Sequence, residues 1–326
     1  MKKLLLLISV ALAVLVAVFV LGYLGDLSDL SNLKNKSVSP RPKTEILKIA
    51  LVADSHNEND LLENALREAQ GKGINFVIGL GDYTNLGTVE ELVAAKREFD
   101  RSGLQYYLVP GDRDGWDNRR RGEANTANFE KTFGHLTRDI KIKGIQFVLL
   151  DNSDIYSGIS AEDWASLTSD LGHLSNFSDL SQKGLVFVFA HKTPFHPESR
   201  HVMGEDSLMV AEQAKVMVDL MENTHSCHSE FSSESSGKKI LKPLDLTQGK
   251  RVQDDKSVQD DKLCPAVDGF FSGDIHFFAK YQSPSGSVKI TTIGAVASER
   301  NFQGPRFAIL TIWDDYSWEV EDVEIR

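Results

Sequence analysis

Seven residues of this sequence combine acid and imidazole chemistry with a regularity of position that isolated residues would not show: Asp54, His56, Asp82, Asp112, His191, Asp274 and His276. Each lies close behind a short apolar run. Leu47 to Ala53 leads to Asp54 and His56, Phe76 to Leu80 to Asp82, Tyr106 to Pro110 to Asp112, Leu185 to Ala190 to His191, and Phe270 to Phe271 to Asp274 and His276. Four carboxylates and three imidazoles can hold two divalent ions about 4 Å apart with one carboxylate shared, which clamps a phosphoryl group and activates water. Any one of these residues has a plainer use, since an aspartate after a strand often caps a turn and a lone histidine is more often structural. The ordered series is what points to metal chemistry.

For residues so far apart to meet, the apolar runs must be strands that share a direction. From Ile46 onward such runs, Phe147 to Leu150 among them, alternate with stretches of helical periodicity, the pattern of an α/β fold. One helix is expected from about Asp60 to Ala69, with Leu61, Leu62, Ala65, Leu66 and Ala69 on one face. A second opens at Thr88, where Thr88-Val89-Glu90-Glu91 has capping-box form, and a third spans roughly Asp206 to Met221. In open α/β sheets, ligand sites collect beyond the carboxyl ends of the strands, so the seven side chains are expected to converge there.

The order Asp-x-His, Gly-Asp, Gly-Asn-His-Asp/Glu, a lone His, then Gly-His-x-His marks the calcineurin-like metallophosphoesterases, and this chain resembles that family from about Ile46 to its C-terminus. Asp54-Ser55-His56, Gly81-Asp82 and His191 match; Gly111-Asp112-Arg113-Asp114 and Gly273-Asp274-Ile275-His276 depart. The resemblance implies a layered sandwich of two facing β-sheets flanked by helices, closed by strands around Lys289 to Ile293, Phe307 to Trp313 and Trp318 to Ile325. It implies one ion held by Asp54, His56, Asp82 and His276, and a second that shares Asp82 and takes Asp112, His191 and Asp274. It further implies that water between the ions attacks phosphorus, that Asp82 bridges them, and that Arg113 stands where the family has a histidine serving the leaving side.

The departures change the chemistry expected. Three carboxylates and one imidazole make a hard second site that favours manganese, iron or magnesium over zinc. Four ligand carboxylates also neutralise two divalent ions, and Arg113 restores positive charge. A guanidinium cannot act as a general acid. Two readings follow: a metal-dependent phosphoesterase, or a metal- and phosphate-binding protein of the same fold with weak or lost catalysis. Further candidates are His196 and His201 after His191, read as solvated loop histidines before substrate contacts. Asp151-Asn152 reads equally as a turn or as support for the site, and Arg119-Arg120-Arg121 as a phosphate-recruiting cluster or a solvated run.

The remaining sequence sets the context. The chain has 326 residues, 41% hydrophobic and 25% charged, enough for one large core. A net charge of -11 argues against nucleic-acid binding, which needs a basic face. Lys2 and Lys3 precede an apolar run from Leu4 to Leu24, long enough to span roughly 30 Å of hydrocarbon. Residues 1–25 are therefore read as an uncleaved membrane anchor, with a cleaved signal as the alternative; either places the rest outside the membrane. Residues 26–45 read as a linker and 46–326 as the domain. Within it, residues 223–262 are a Ser-rich, low-complexity insertion expected to be disordered, with Val252-Gln253-Asp254-Asp255-Lys256 nearly duplicated at Val258 to Lys262. His225, Cys227 and His228 lack a second ligand pair, and Cys227 and Cys264 are open to either a bridge or free thiols. The substrates compatible with this reading are phosphorylated small molecules, lipid-linked phosphates and phosphoproteins.

Overall fold

The computed structural model describes residues 41–136, 139–174, 184–222 and 267–326. Strands β1 (Glu45–Val52), β2 (Phe76–Leu80) and β3 (Tyr106–Val109) run parallel, β10 (Arg306–Trp313) pairs antiparallel with β1 and β11 (Trp318–Glu324) antiparallel with β10, in the order β11-β10-β1-β2-β3. The second sheet has six strands: β4 (Asp139–Ile142), β5 (Ile145–Leu150), β6 (Val186–Ala190), β7 (Gly269–Ser272), β8 (Ala279–Gln282) and β9 (Lys289–Thr292), in the order β4-β5-β6-β7-β9-β8. Its central strands β5, β6, β7 and β9 are parallel, with β4 and β8 antiparallel at the edges.

The twofold alternation of side chains along each strand builds the layers. Ile49 and Leu51 of β1 face Phe147, Leu149, Phe187, Phe189 and Phe271 in a core between the sheets. Burying each of these large side chains contributes about 1.5–3 kcal/mol. Ala50 and Val52 point the other way, onto α1 (Asn59–Gly71) and α2 (Val89–Ser102), through Leu62, Ala65, Leu66, Leu92 and Phe99. Two short helices follow β3, α3 (Trp116–Arg121) and α4 (Ala127–Phe133). On the second sheet, Val186, Val188 and Ala190 pack under α5 (Ala161–Leu174) and α6 (Leu208–Glu222), through Leu171, Ala214 and Met217. Two mixed sheets flanked by helices are thus the architecture expected.

At Thr88 the side chain accepts from the Glu91 backbone while Glu91 accepts from the Thr88 N–H, a complete capping box. Thr88→Ala is expected to destabilise the chain by about 1 kcal/mol in chemical denaturation. The third helix begins at Leu208, two residues later than the periodicity suggested, because Ser207 takes the capping position: its oxygen accepts from Val210 N and its carbonyl from Ala211 N. Among the described residues no helix is long and apolar enough to cross a membrane. The run from Leu4 to Leu24, the insertion at 223–262 and both cysteines lie outside those residues.

Candidate metal centre

All seven candidate residues stand just past the carboxyl ends of parallel strands: Asp54 and His56 after β1, Asp82 after β2, Asp112 after β3, His191 after β6, and Asp274 and His276 after β7. The loops that carry them are tied together. Asp54 N–H donates to Gly81 O at 3.0 Å, His56 N–H to Asp82 O at 3.0 Å, and Asp274 N–H to the Asp54 carboxylate at 3.0 Å. Of the nine non-glycine residues with positive φ among the described residues, five are candidate ligands: Asp54, His56, Asp82, Asp274 and His276. Each such conformation costs about 1–3 kcal/mol, and strain of this kind clusters where a site demands it.

The first ligand group is Asp54, His56, Asp82 and His276. The Nε2 atoms of His56 and His276 lie 3.0 Å apart. Asp82 Oδ2 is 3.8 Å from the first of them, and Asp54 Oδ1 is 3.9 Å from the second. Burial, and then the neighbouring His276, push the His56 pKa down to about 3, so this ring stays neutral and free to donate a lone pair. Asp54, His56 and His276 bring one ligand atom each within 4.8 Å of one another, a set that fits a divalent cation, and Asp82 Oδ2 stands beside it.

The second group is built around His191, which is fully buried. Its Nδ1 bonds the Leu80 carbonyl at 2.7 Å, which assigns the ring proton there and turns the other nitrogen's lone pair inward. That Nε2 faces Asp112 Oδ1 at 3.3 Å, Asp82 Oδ1 at 3.4 Å and Asp274 Oδ1 at 3.6 Å. Four acceptors converging on one point need a positive charge among them. Burial lowers the His191 pKa, but the Asp82, Asp112 and Asp274 carboxylates outweigh it and raise it well above the usual range, so in the metal-free chain a proton fills that need. Asp82 presents one oxygen to each group, an arrangement that suits a bridging ligand.

Acidification should therefore remove the two ions in order. The His191 nitrogen takes up a proton far more readily than His56, so the second ion is expected to leave first as pH falls. Metal content measured after dialysis across a pH series checks this.

The extra carboxylate at the second site is not left uncompensated, which corrects the expectation of an unusually acidic site. The ammonium of Lys192, buried like its neighbours, lies 2.9 and 3.0 Å from the two oxygens of Asp274. Burial alone would raise the Asp274 pKa, yet Lys192, His201 and His191 hold it well below the carboxylate range. Lys192 carried one signal in the sequence, a charge directly after a ligand at the end of an apolar strand. His201 is half exposed on its loop, yet both ring nitrogens are engaged: its Nδ1 meets Glu205 at 2.7 Å and its Nε2 meets Asp274 at 3.2 Å. The bond to Asp274 raises its pKa to about 9.

Other candidates turn out to be scaffolding. Asn152 clamps the backbone of Lys192, accepting from its N–H at 3.0 Å and donating to its carbonyl at 2.7 Å, while Asp151 closes a turn onto Ser153. Asp114, at the end of the Gly111 block, is buried and accepts from Gly111 N, Thr84 N and Thr84 Oγ1, locking the loops after β2 and β3 together. His196 turns back onto its own loop at Glu198 N and Ser199 N. Arg119 binds the Asp112 carbonyl and Asn125, and Arg121 pairs with Asp117 and Glu123, so neither side chain is poised to recruit phosphate. Arg113 does reach the site. Its N–H holds Asp82 Oδ1 at 2.8 Å, and its guanidinium lies 5.5 Å from the Trp116 ring centroid, at the wall of the cavity.

The cavity holds about 470 Å³ and opens over both ligand groups, with Arg113, Lys192 and Arg300 among its cations and Trp116, Ile155 and Tyr156 along one side. The sequence profile of the calcineurin-like phosphoesterases matches residues 47–228. The chain belongs to this family. No curated protein matches the sequence significantly. Among solved structures, a dimetal phosphatase from Danio rerio is 14% identical, with 87% of this chain and 100% of that one covered at a TM-score of 0.50. A purple acid phosphatase from yellow lupin (Lupinus luteus) seeds is 12% identical over 88% of this chain and 53% of that one, with a TM-score of 0.51. At these identities the likeness is one of fold. The calcineurin-like phosphoesterase domain thus carries candidate metal-ligand groups where its strands end.

Proposed function

We propose that this protein is a membrane-anchored, metal-dependent hydrolase of phosphoesters, with its catalytic domain on the extracytoplasmic side. The observation that carries the reading is Asp82, whose two carboxylate oxygens face separate ligand groups, each of which draws side chains from the strand ends of both sheets. Divalent ions bound there supply Lewis-acid polarisation of a phosphoryl oxygen and water of lowered pKa. The chain's own residues do the rest. Arg113 and Arg300 line the cavity and bind the phosphoryl oxygens, and the Arg113 backbone holds Asp82 in its bridging orientation. Trp116, Ile155 and Tyr156 receive the organic part of the substrate. Because Arg113 cannot give up a proton, substrates with good leaving groups are cleaved best. The hard oxygen-rich second group favours manganese, iron or magnesium. A reading in which catalysis is lost is not favoured, since the family match and the candidate ligand groups both support a hydrolase.

The apolar run from Leu4 to Leu24 supports the anchor, and with it substrates met at or outside a membrane: lipid-linked phosphates, phosphoproteins or small phosphoesters. The purified protein is expected to hydrolyse p-nitrophenyl phosphate or its diester only with manganese or magnesium present. Absence of metal-dependent cleavage across a panel of activated mono- and diesters would overturn the reading.

A further inference from the structure

Asp274 Oδ1 is claimed from three directions. It faces the His191 nitrogen across the second ligand group at 3.6 Å, it lies 2.9 Å from Lys192 Nζ, and it lies 3.2 Å from His201 Nε2. The other oxygen of the same carboxylate is also held by Lys192, at 3.0 Å. The ammonium does not drift there by chance. Asn152 grips the Lys192 backbone on both sides, and the side chain is 4% exposed, with Asp112 and Glu205 oxygens each 3.8 Å further around it. The second ion therefore meets a ligand whose lone pairs already face the Lys192 ammonium and the His201 ring. At the first ligand group no lysine or arginine among the described residues lies within ion-pair or hydrogen-bond distance of Asp54, and Arg113 acts on His56 only through its more distant charge.

We propose that Asp274 is a contested ligand, and that the ammonium of Lys192, assisted by the imidazole of His201, sets the affinity of the second site, so that the chain holds its first ion tightly and its second weakly and exchangeably. Lys192 offsets the charge that Asp274 adds, and it also repels the incoming ion and occupies oxygen lone pairs that the ion needs. The second ion then loads fully only when metal is plentiful or when an anionic substrate joins it and draws Lys192 partly away. This inference rests on the dimetal reading of the site.

The test is a manganese titration of the full chain in detergent, by calorimetry with metal content checked by elemental analysis. The wild type is expected to show one tight ion and a second that binds about tenfold or more weaker. Lys192→Met is expected to tighten the second step by about tenfold or more while leaving the first nearly unchanged. His201→Gln, at a half-exposed position with little risk to folding, is expected to tighten the second step in the same direction by a smaller factor. Two equal steps in the wild type, or a second step unchanged or weakened in the variants, would overturn the proposal. Failure to bind a second ion under any condition would instead bring down the dimetal reading beneath it. If Lys192→Met does not fold, His201→Gln decides alone.

Discussion

Asp82→Asn is expected to abolish hydrolysis while making the metal-free chain more stable. The substitution keeps the side chain's shape, and its amide oxygen can still accept from Arg113 N–H. It removes the carboxylate whose two oxygens face His56 and His191, so kcat/KM is expected to fall by about a thousandfold or more. Stability moves the opposite way for an electrostatic reason. Burial, with the carboxylates of Asp112, Asp114 and Asp54 close by, raises the Asp82 pKa well above its ordinary value despite the opposing His191. A carboxyl whose folded pKa is raised supports the fold when protonated, and that support is lost as pH rises through the folded value. The stabilisation by Asp82→Asn should thus be largest at high pH and should vanish below about pH 4, where the wild-type residue is protonated in both states. Denaturation of the metal-free proteins across pH checks the sign. A variant that is inactive and also less stable at every pH would show Asp82 to be a structural residue.

Gly81→Ala is expected to damage the fold and the site together. Gly81 has φ of +90°, and an added Cβ would stand 2.6 Å from both the Gly111 backbone nitrogen and His191 Nδ1. The left-handed conformation costs about 1–2 kcal/mol for an L-residue, and overpacking against backbone adds about 1–3 kcal/mol. A loss of about 3 kcal/mol or more is therefore expected in chemical denaturation. Gly122→Ala is the control: it is left-handed with φ of +70°, but nothing lies within 4 Å of the added carbon, so it should show the conformational cost alone. Because His191 Nδ1 is one of the atoms displaced at Gly81, activity should fall further than the loss of stability explains. The strand-ending Gly-Asp pair thus has a steric reason: the glycine admits the neighbouring loop and the histidine, and the aspartate uses the space they define.

These contacts also explain which parts of the structure could be read in the sequence. The buried strands were legible because both faces are covered, so β2 and β6 appear as unbroken apolar runs with a ligand directly beyond. The edge strands β4 and β8 were not, because their side chains are only half covered and carry no apolar run. The ligands themselves were legible through their place at strand ends. Their supporting residues were not: Lys192 meets Asp274 across 82 positions, Asn152 meets Lys192 across 40, and Asp114 meets Thr84 across 30. Such pairings follow from how two sheets face each other, which no local pattern encodes. The same reason made the second site look more acidic in sequence than it is in space.

The central claim is that two ions sit on either side of Asp82, one with Asp54, His56 and His276 and the other with Asp112, His191 and Asp274. A crystal of the protein soaked in manganese, with the ions located by their anomalous scattering, tests it most directly. Two peaks flanking the Asp82 carboxylate, the second weaker at limiting metal, are the predicted result. A single peak away from Asp82, or none at saturating manganese, would contradict the account.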